Sequence, residues 1–278
     1  MKTLDRRSFV GAAAGLAAAG STLQAGQFTG RIRKAVKFQM FQEEGLSVLD
    51  KFKILKDLGF DGTEIQTRAK VDPAGIENAI EKTGLPVHGV IHSSNPDLKA
   101  GVDLAKRFGG DSILVVARYD KKLSLQANWD RDLQLLKEGA PYAEKQGVKL
   151  LVENVWASYI ISAFDMRSFI DAVGSDFVQV YFDVGNNVRW GVPEHWVELL
   201  GKRIVKLDIK EYSTKLQNDE GLRHGFGVPI GEGSVNWGNV RAELAKIGFN
   251  GWATAEVKGG DRERMKTIAD EMNRALDL

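Results

Sequence analysis

Cysteine is missing from all 278 residues. That excludes disulfides, thiolate metal ligands and a cysteine nucleophile, and leaves the redox compartment undefined. Excess charge of either sign is missing too. Lys and Arg number 38 against 37 Asp and Glu, a formal net charge of +1, with no long block of one sign. The whole-molecule field gives no reason to expect nucleic acid as a partner. Apolar runs long enough to cross a bilayer, which takes about 20 residues, are also lacking, so no membrane partner is expected. Histidine is scarce, with 4 in the chain.

What is present begins with an unusual leader, MKTLDRRSFVGAAAGLAAAGSTLQAG. Arg6-Arg7 precede Ser8-Phe9-Val10 and a run of small apolar residues from Gly11 to Gly20. A positive n-region, a short apolar stretch and small residues after it are the pattern of a secretory signal. The arginine pair followed by Ser and Phe resembles a twin-arginine address, which exports folded proteins. Cleavage after Ala25 or after Ala19 fits equally. The expectation is therefore a leader over residues 1–30, a single domain over 31–278, and a periplasmic or otherwise exported protein.

From residue 35 onward, short strand-like runs alternate with longer amphipathic ones. AVKFQMF, FDGTEIQ, LPVHGVIH and DSILVVA read as the first four strands, and VKLLVEN, VQVYFDVGN, RIVKLDIKEY and GWATAEV as the last four. DSILVVA is nearly continuous in apolar residues, as in a strand buried on both faces. Ser47 reads as the cap of the first helix and Gly59 as its end. Asn95-Pro96 stand where the third helix would start, and a helix is expected from Trp129 to Gln146. An irregular stretch follows strand seven. Eight strand–helix units in strict alternation predict a parallel (β/α)8 TIM barrel. The rival, an open doubly wound sheet, lacks a glycine-rich dinucleotide fingerprint after its first strand.

Active sites of such barrels lie at the C-terminal ends of the strands. Glu153 in LVENVW, Asp183 in YFDVGNN, Asp208 in KLDIKEY and Glu256 in ATAEVKG fall there, on strands five to eight. A single acid at a rim often caps a helix or pairs with a lysine, for which Lys206, Lys210 and Lys258 are candidates. Four acids on consecutive strands converge and repel one another, and burial without compensation is costly. One divalent cation is the simple compensation, and ligands made only of oxygen favour Mg²⁺ or Mn²⁺.

The ordered set GFDGTEIQ, LLVEN, FDVGN, VKLDIKEY, PIGEGSVNW and ATAEV resembles the sugar phosphate isomerase/epimerase family, the xylose-isomerase-like barrels. The resemblance covers nearly all of the chain after residue 35. It implies a metal held by Glu153, Asp183, the strand-seven position and Glu256. Strand seven departs from the family, because Asp208 stands where a ligating His is expected. Lys206 and Lys210 share its strand face by the period of two and can offset the added charge. Asn186 also replaces a His that many members carry after Asp-x-Gly.

The resemblance implies proton transfer beside a sugar carbonyl through a metal-stabilised enediolate. Glu153 and Glu256 are the expected acid–base pair, each doubling as a ligand. His92, at the end of strand three, is a candidate to orient a hydroxyl or carry a proton, while His88, four residues earlier, is placed on the same strand face as a structural residue. Glu64, Gln66, Trp156, Lys206, Lys210, Arg223 and His224 complete the expected substrate-binding set. Glu232 matches a family motif whose job is turn geometry. The expected function is a metal-dependent sugar isomerase or epimerase. The alternatives are a 3-keto-glycoside lyase, which removes the C2 proton and expels the C1 substituent, and a non-catalytic sugar-binding barrel. The endonuclease branch of the family is disfavoured by the few histidines. A homo-oligomer is left open.

Overall fold

Eight parallel strands close on one another in sequence order in the computed structural model, which describes residues 25–278. The Arg6-Arg7 leader and its Ala19 cleavage option lie outside the described residues. The strands are β1 (Ile32–Lys37), β2 (Gly62–Gln66), β3 (Val87–Ser93), β4 (Ser112–Val115), β5 (Lys149–Glu153), β6 (Val178–Asp183), β7 (Ile204–Ile209) and β8 (Gly251–Ala255). Around them run α1 (Val48–Asp57), α2 (Pro73–Thr83), α3 (Leu98–Arg107), α4 (Leu125–Gln146), α5 (Ala163–Val173) and α6 (Pro193–Leu200). After β7 come a short α7 (Thr214–Glu220) and then α8 (Trp237–Lys246), and α9 (Arg262–Leu276) follows β8. The expected (β/α)8 barrel is observed.

Local chemistry sets the element ends. The side chains of Ser47, Asp72, Asp97, Ser124, Ser162, Asn236 and Asp261 each accept a bond from a backbone N–H in the first turn of the helix that follows. Such caps satisfy donors that have no partner within the helix. Three expectations need correction. The third helix is capped by Asp97 and begins at Leu98, not at Asn95-Pro96. The fourth begins at Leu125, because Ser124 caps it ahead of Trp129. The stretch after β7 contains α7, seven residues capped by Ser213, which is too short to show a clear apolar period.

The core divides by strand face. Outward residues such as Val90, Ile113, Val152, Val180 and Leu207 pack against the helices in one continuous cluster. Inward, the apolar filling is small: Ile91, Leu114, Leu151 and Tyr181, edged by Val116 and Val205. Polar side chains occupy the remaining inward positions. At the N-terminal end of the barrel, Lys206 is 1% exposed and bonds both His88 Nδ1 and the His88 carbonyl at 2.8 Å. Its ammonium also reaches Asp111 at 2.6 Å. His88 Nε2 meets Thr254 Oγ1 at 3.1 Å, and Tyr181 donates its hydroxyl proton to Glu64 at 3.0 Å. This network plugs the floor. The C-terminal ends of the strands lie above it.

Candidate active site

Strand alternation brings four acids into the mouth of the barrel. Glu153 ends β5, Asp183 ends β6, Asp208 lies in β7 opposite Asp183, and Glu256 follows β8. One oxygen of each lies within 4.8 Å of one oxygen of every other. Glu153, Asp183 and Asp208 are buried, whereas the Glu256 side chain is 38% exposed and faces the opening.

Two lysines penetrate this cluster. Lys37, the last residue of β1, reaches Asp208 Oδ2 at 2.5 Å and Glu256 Oε1 at 3.1 Å. Lys210, one residue beyond β7, reaches Asp183 Oδ2 at 2.8 Å and Glu256 Oε2 at 2.7 Å. Both Glu256 oxygens are thereby held by ammonium groups. The sequence reading missed Lys37. Its signal was the inward register of AVKFQMF, for a strand ending at Lys37 aims that side chain at the same mouth as the acids.

Charge and burial shift these groups in opposite directions. Burial, with Glu256 as the next contributor, pushes Glu153 up to about 8. Burial also raises Asp208 well above the carboxylate range despite Lys37, and raises Asp183 despite Lys210. Burial alone would raise Glu256 as well, yet the two lysines reverse the effect and hold it below the usual range. For Lys37 and Lys210, burial favours the neutral amine, but the surrounding carboxylates outweigh it and raise both. In the cation-free protein the surroundings thus bias Glu256 toward its ionised form and Glu153 toward its neutral form.

A frame of amides fixes the acids. Asn154 accepts from the Asp183 N–H at 2.8 Å and donates to the Asp183 carbonyl at 2.8 Å, locking the ends of β5 and β6 together. The Asn186 N–H donates to Asp183 Oδ1 at 2.8 Å, and its side chain donates to the Asn154 carbonyl at 3.0 Å. Glu211 plays the same part on the next loop. It accepts from the N–H groups of Gly231 and Val235 and from the Trp237 indole. A Cβ at position 233 would lie 2.3 Å from the Glu211 carboxylate, so Gly233 is required for this closeness. The motif around Glu232 is therefore architectural, as expected of a turn.

Above the acids lies a cleft of about 600 Å³. Trp156 forms one wall, donating its indole N–H to the Asn186 carbonyl at 2.9 Å. Phe226 packs beside it with ring centroids 4.8 Å apart, and the Arg189 guanidinium stacks over its face at 4.7 Å. Arg223, Leu222, Lys210 and Glu256 also line the cleft.

The structure brings together Glu153, Asp183, Asp208, Glu256, Lys210, Trp156 and Arg223 of the expected site residues. Others lie elsewhere. His92 points outward, its Nδ1 bonded to Thr67 Oγ1 at 2.9 Å and its ring against Gly101 of α3, where a Cβ would approach within 2.6 Å. His88 points inward, so the two do not share a face. Register shifts in the pairings of β3 with β2 and β4 break the period of two that placed them together. Glu64 and Lys206 belong to the barrel floor, where neither is more than 1% exposed. Gln66 is exposed at the end of β2, and His224 pairs with Glu220 at 3.4 Å, outside the cleft lining.

Residues 52–277 match the family described as xylose isomerase-like TIM barrel. The chain belongs to that family. Among curated proteins it is similar to the inosose dehydratase of Clostridium botulinum (strain Alaska E43 / Type E3). The two are 23% identical over 254 residues, spanning 78% of this chain and 83% of that protein. Among solved structures, the 3-keto-D-glucoside 4-epimerase of E. coli superposes with a TM-score of 0.71 at 17% identity, covering 88% of this chain and 98% of that one. The D-allulose 3-epimerase of Methylomonas sp. gives 0.70 at 16% identity over 88% and 98%. At these identities the structural likeness establishes the shared barrel.

The donor set fits a divalent cation. Four carboxylates against two ammonium groups leave two negative charges unmatched. Among the described residues, Asp208 Oδ1 is buried with no hydrogen-bond partner. Ligation by Glu256 or by Asp208 Oδ2 would have to compete with Lys37 and Lys210.

Proposed function

We propose that this protein is a sugar isomerase or epimerase that moves a proton on the carbon beside a carbonyl. The observation that carries the reading is the convergence of Glu153 and Glu256, with Asp183 and Asp208, in one mouth beside an aromatic wall. Glu256, ionised and reaching the opening, accepts the carbon-bound proton. Glu153 returns a proton from its own position on β5, at the opposite face or at the neighbouring carbon. Trp156, with Arg189 over its face and Phe226 beside it, presents an aromatic wall to the sugar ring, and Lys210 and Arg223 offer donors to its hydroxyls. The alternation of roles between Glu153 and Glu256 makes the reaction reversible. Mn²⁺ or Mg²⁺, held by Glu153, Asp183, Asp208 and Glu256, would supply Lewis-acid stabilisation of the enediolate oxygens.

The test is incubation of the Mn²⁺-loaded protein in D₂O with D-fructose and with methyl 3-keto-β-D-glucoside, followed by proton NMR. Deuterium beside the carbonyl with the carbon skeleton and the glycosidic bond intact supports the reading. Loss of the C1 substituent would favour the lyase, which the dehydratase named among the relatives keeps in view. No exchange on either sugar counts against both. The same assay tests the aromatic wall. Trp156→Ala is expected to raise KM about tenfold with a smaller change in kcat, since ring stacking is made in ground and transition states alike.

Export through the twin-arginine route belongs to this proposal, since the leader supports it and an exported enzyme meets unphosphorylated sugars. Fractionation of the native host, with a Lys substituted at both Arg6 and Arg7 in parallel, tests it. The protein should leave the periplasm only when the pair is lost.

Stability should report the cation. Glu153 is raised to about 8 by burial, so at neutral pH the cation-free protein holds there a proton that the unfolded chain has released, and burial biases Asp183 and Asp208 in the same direction. The folded state then binds more protons than the unfolded state, and stability falls as pH rises through the raised values. His88, lowered by burial, acts in the opposite sense only below its ordinary value near 6.5. Between pH 6.5 and 8 the urea midpoint of the EDTA-treated protein is therefore expected to fall. Saturating Mn²⁺ should flatten the slope. A midpoint independent of pH without cation would contradict the burial assignment.

A further inference from the structure

A second hollow adjoins the acidic cleft. It encloses about 770 Å³ between the ends of β3 and β4 and the inner face of α4, within the range of small-molecule sites. Leu98, Val115, Ala117, Leu135 and Leu136 form its apolar walls, and charged side chains, among them the Arg131–Asp132 pair at 2.7 Å, also line it. Ser93, Ser94, Val116 and Arg118 line this hollow and the acidic cleft alike, so the two share an edge. The cleft runs from Glu256 and Lys210 at one end to that shared edge at the other.

Two features single out the edge. Ser93 adopts φ +56, a left-handed conformation rare for a residue with a side chain, and holds β3 turned away at the boundary. Beyond it the connection from β4 to α4 displays Tyr119, which lines the hollow, and Leu123, at 40% and 37% exposure, and Leu125 opens α4 at 62%. These continue the apolar character toward the mouth. A free monosaccharide has no group that such a surface would take from water. A sugar bearing an apolar ring does.

We propose that this hollow is the subsite for the C1 substituent of a glycoside, and that the substrates are sugars carrying an apolar, ring-sized aglycone. The inference rests on the reading of the acidic cleft as a sugar site and names its substrate class. The sugar lies against Trp156 over the acids. Its aglycone passes the edge at Ser93 and Arg118 and lies among Val115, Ala117, Leu135 and Leu136. Arg118, exposed at this edge, stands where the glycosidic oxygen crosses.

The probes are phenyl and methyl 3-keto-β-D-glucoside, titrated calorimetrically into the full Mn²⁺-loaded protein, with exchange in D₂O followed on the same samples. Burying a phenyl ring in place of a methyl group is expected to tighten binding about tenfold or more. Gln134→Trp and Leu135→Trp each place an indole in the hollow from α4. Gln134 is exposed, so that substitution is the gentler of the two. Each should abolish the phenyl advantage while leaving methyl glucoside affinity within about twofold, because the sites are separate. Equal affinity for the two probes in the unsubstituted protein overturns the subsite, and so does a phenyl advantage that survives a folded Trp variant. A phenyl advantage without exchange on either sugar keeps the subsite and removes the isomerase reading. Exchange without a phenyl advantage does the reverse, and binding of neither sugar overturns both.

Discussion

Glu153→Gln should abolish net isomerisation or epimerisation of the sugar, by about a thousandfold or more, while the protein folds and still binds the sugar. The amide keeps the shape and one oxygen of the side chain, so loss of activity reports loss of a titrating group. The same substitution should stabilise the cation-free protein at pH 8. Glu153 is driven up to about 8 by burial and by the Glu256 charge, and ionising it there opposes folding. A neutral amide removes that opposition. A variant that loses activity yet gains urea resistance fits a group retained for chemistry. Undiminished turnover would transfer the return of the proton to another group, with Lys210 the nearest donor. Loss of both exchange and sugar binding would make Glu153 a structural or ligating residue.

Most of the barrel was legible in the sequence because each strand is bounded by a cap or a glycine and the strands alternate with helices. The four acids were legible for the same reason: each ends an apolar strand, and parallel strands place such ends at one mouth. The two histidines were misplaced for one reason. A period of two holds only while a strand stays in register, and β3 shifts register against both neighbours. That turned His92 toward α3 and His88 into the barrel floor. Lys37 escaped notice because sequence reading sought groups that bind a cation, and a lysine among acids reads as ordinary pairing. Glu64 and Lys206 were assigned to substrate by their polarity. Closure of the barrel gave them each other's neighbourhood instead, around His88, Tyr181 and Thr254. Of the two substrate contacts expected from the stretch after β7, Arg223 lines the cleft, together with Leu222 and Phe226, and His224 does not.

Lys37 carries the second large effect. Its ammonium is 2.5 Å from Asp208, and both side chains are almost wholly buried. Removing one member of such a pair leaves the other charge without compensation, at a cost of about 3–5 kcal/mol, whereas removing both is often tolerated. Lys37→Met is therefore expected to lower stability by about that amount, because Asp208 and Glu256 both lose the ammonium they contact, and Asp208→Asn, at a carboxyl that burial biases toward its neutral form, to lower it less. The double substitution should recover more than half of the summed loss, giving a coupling energy of about 2 kcal/mol or more in a urea denaturation cycle. Additive losses would mean that the two side chains act independently despite their contact. The cycle also separates charge balance from ligation. Lys37→Met frees Asp208 Oδ2 and Glu256 Oε1 from an ammonium and leaves the cluster one positive charge poorer. Mn²⁺ affinity, read by equilibrium dialysis, should then rise about tenfold or more, since a competing cation has been removed from hard oxygen ligands. In Asp208→Asn it should fall, since a charged oxygen has been lost. If Lys37→Met binds Mn²⁺ no better than the unsubstituted protein, the ammonium and the cation do not compete, and Lys37 is a second-layer support that holds Asp208 in place for ligation.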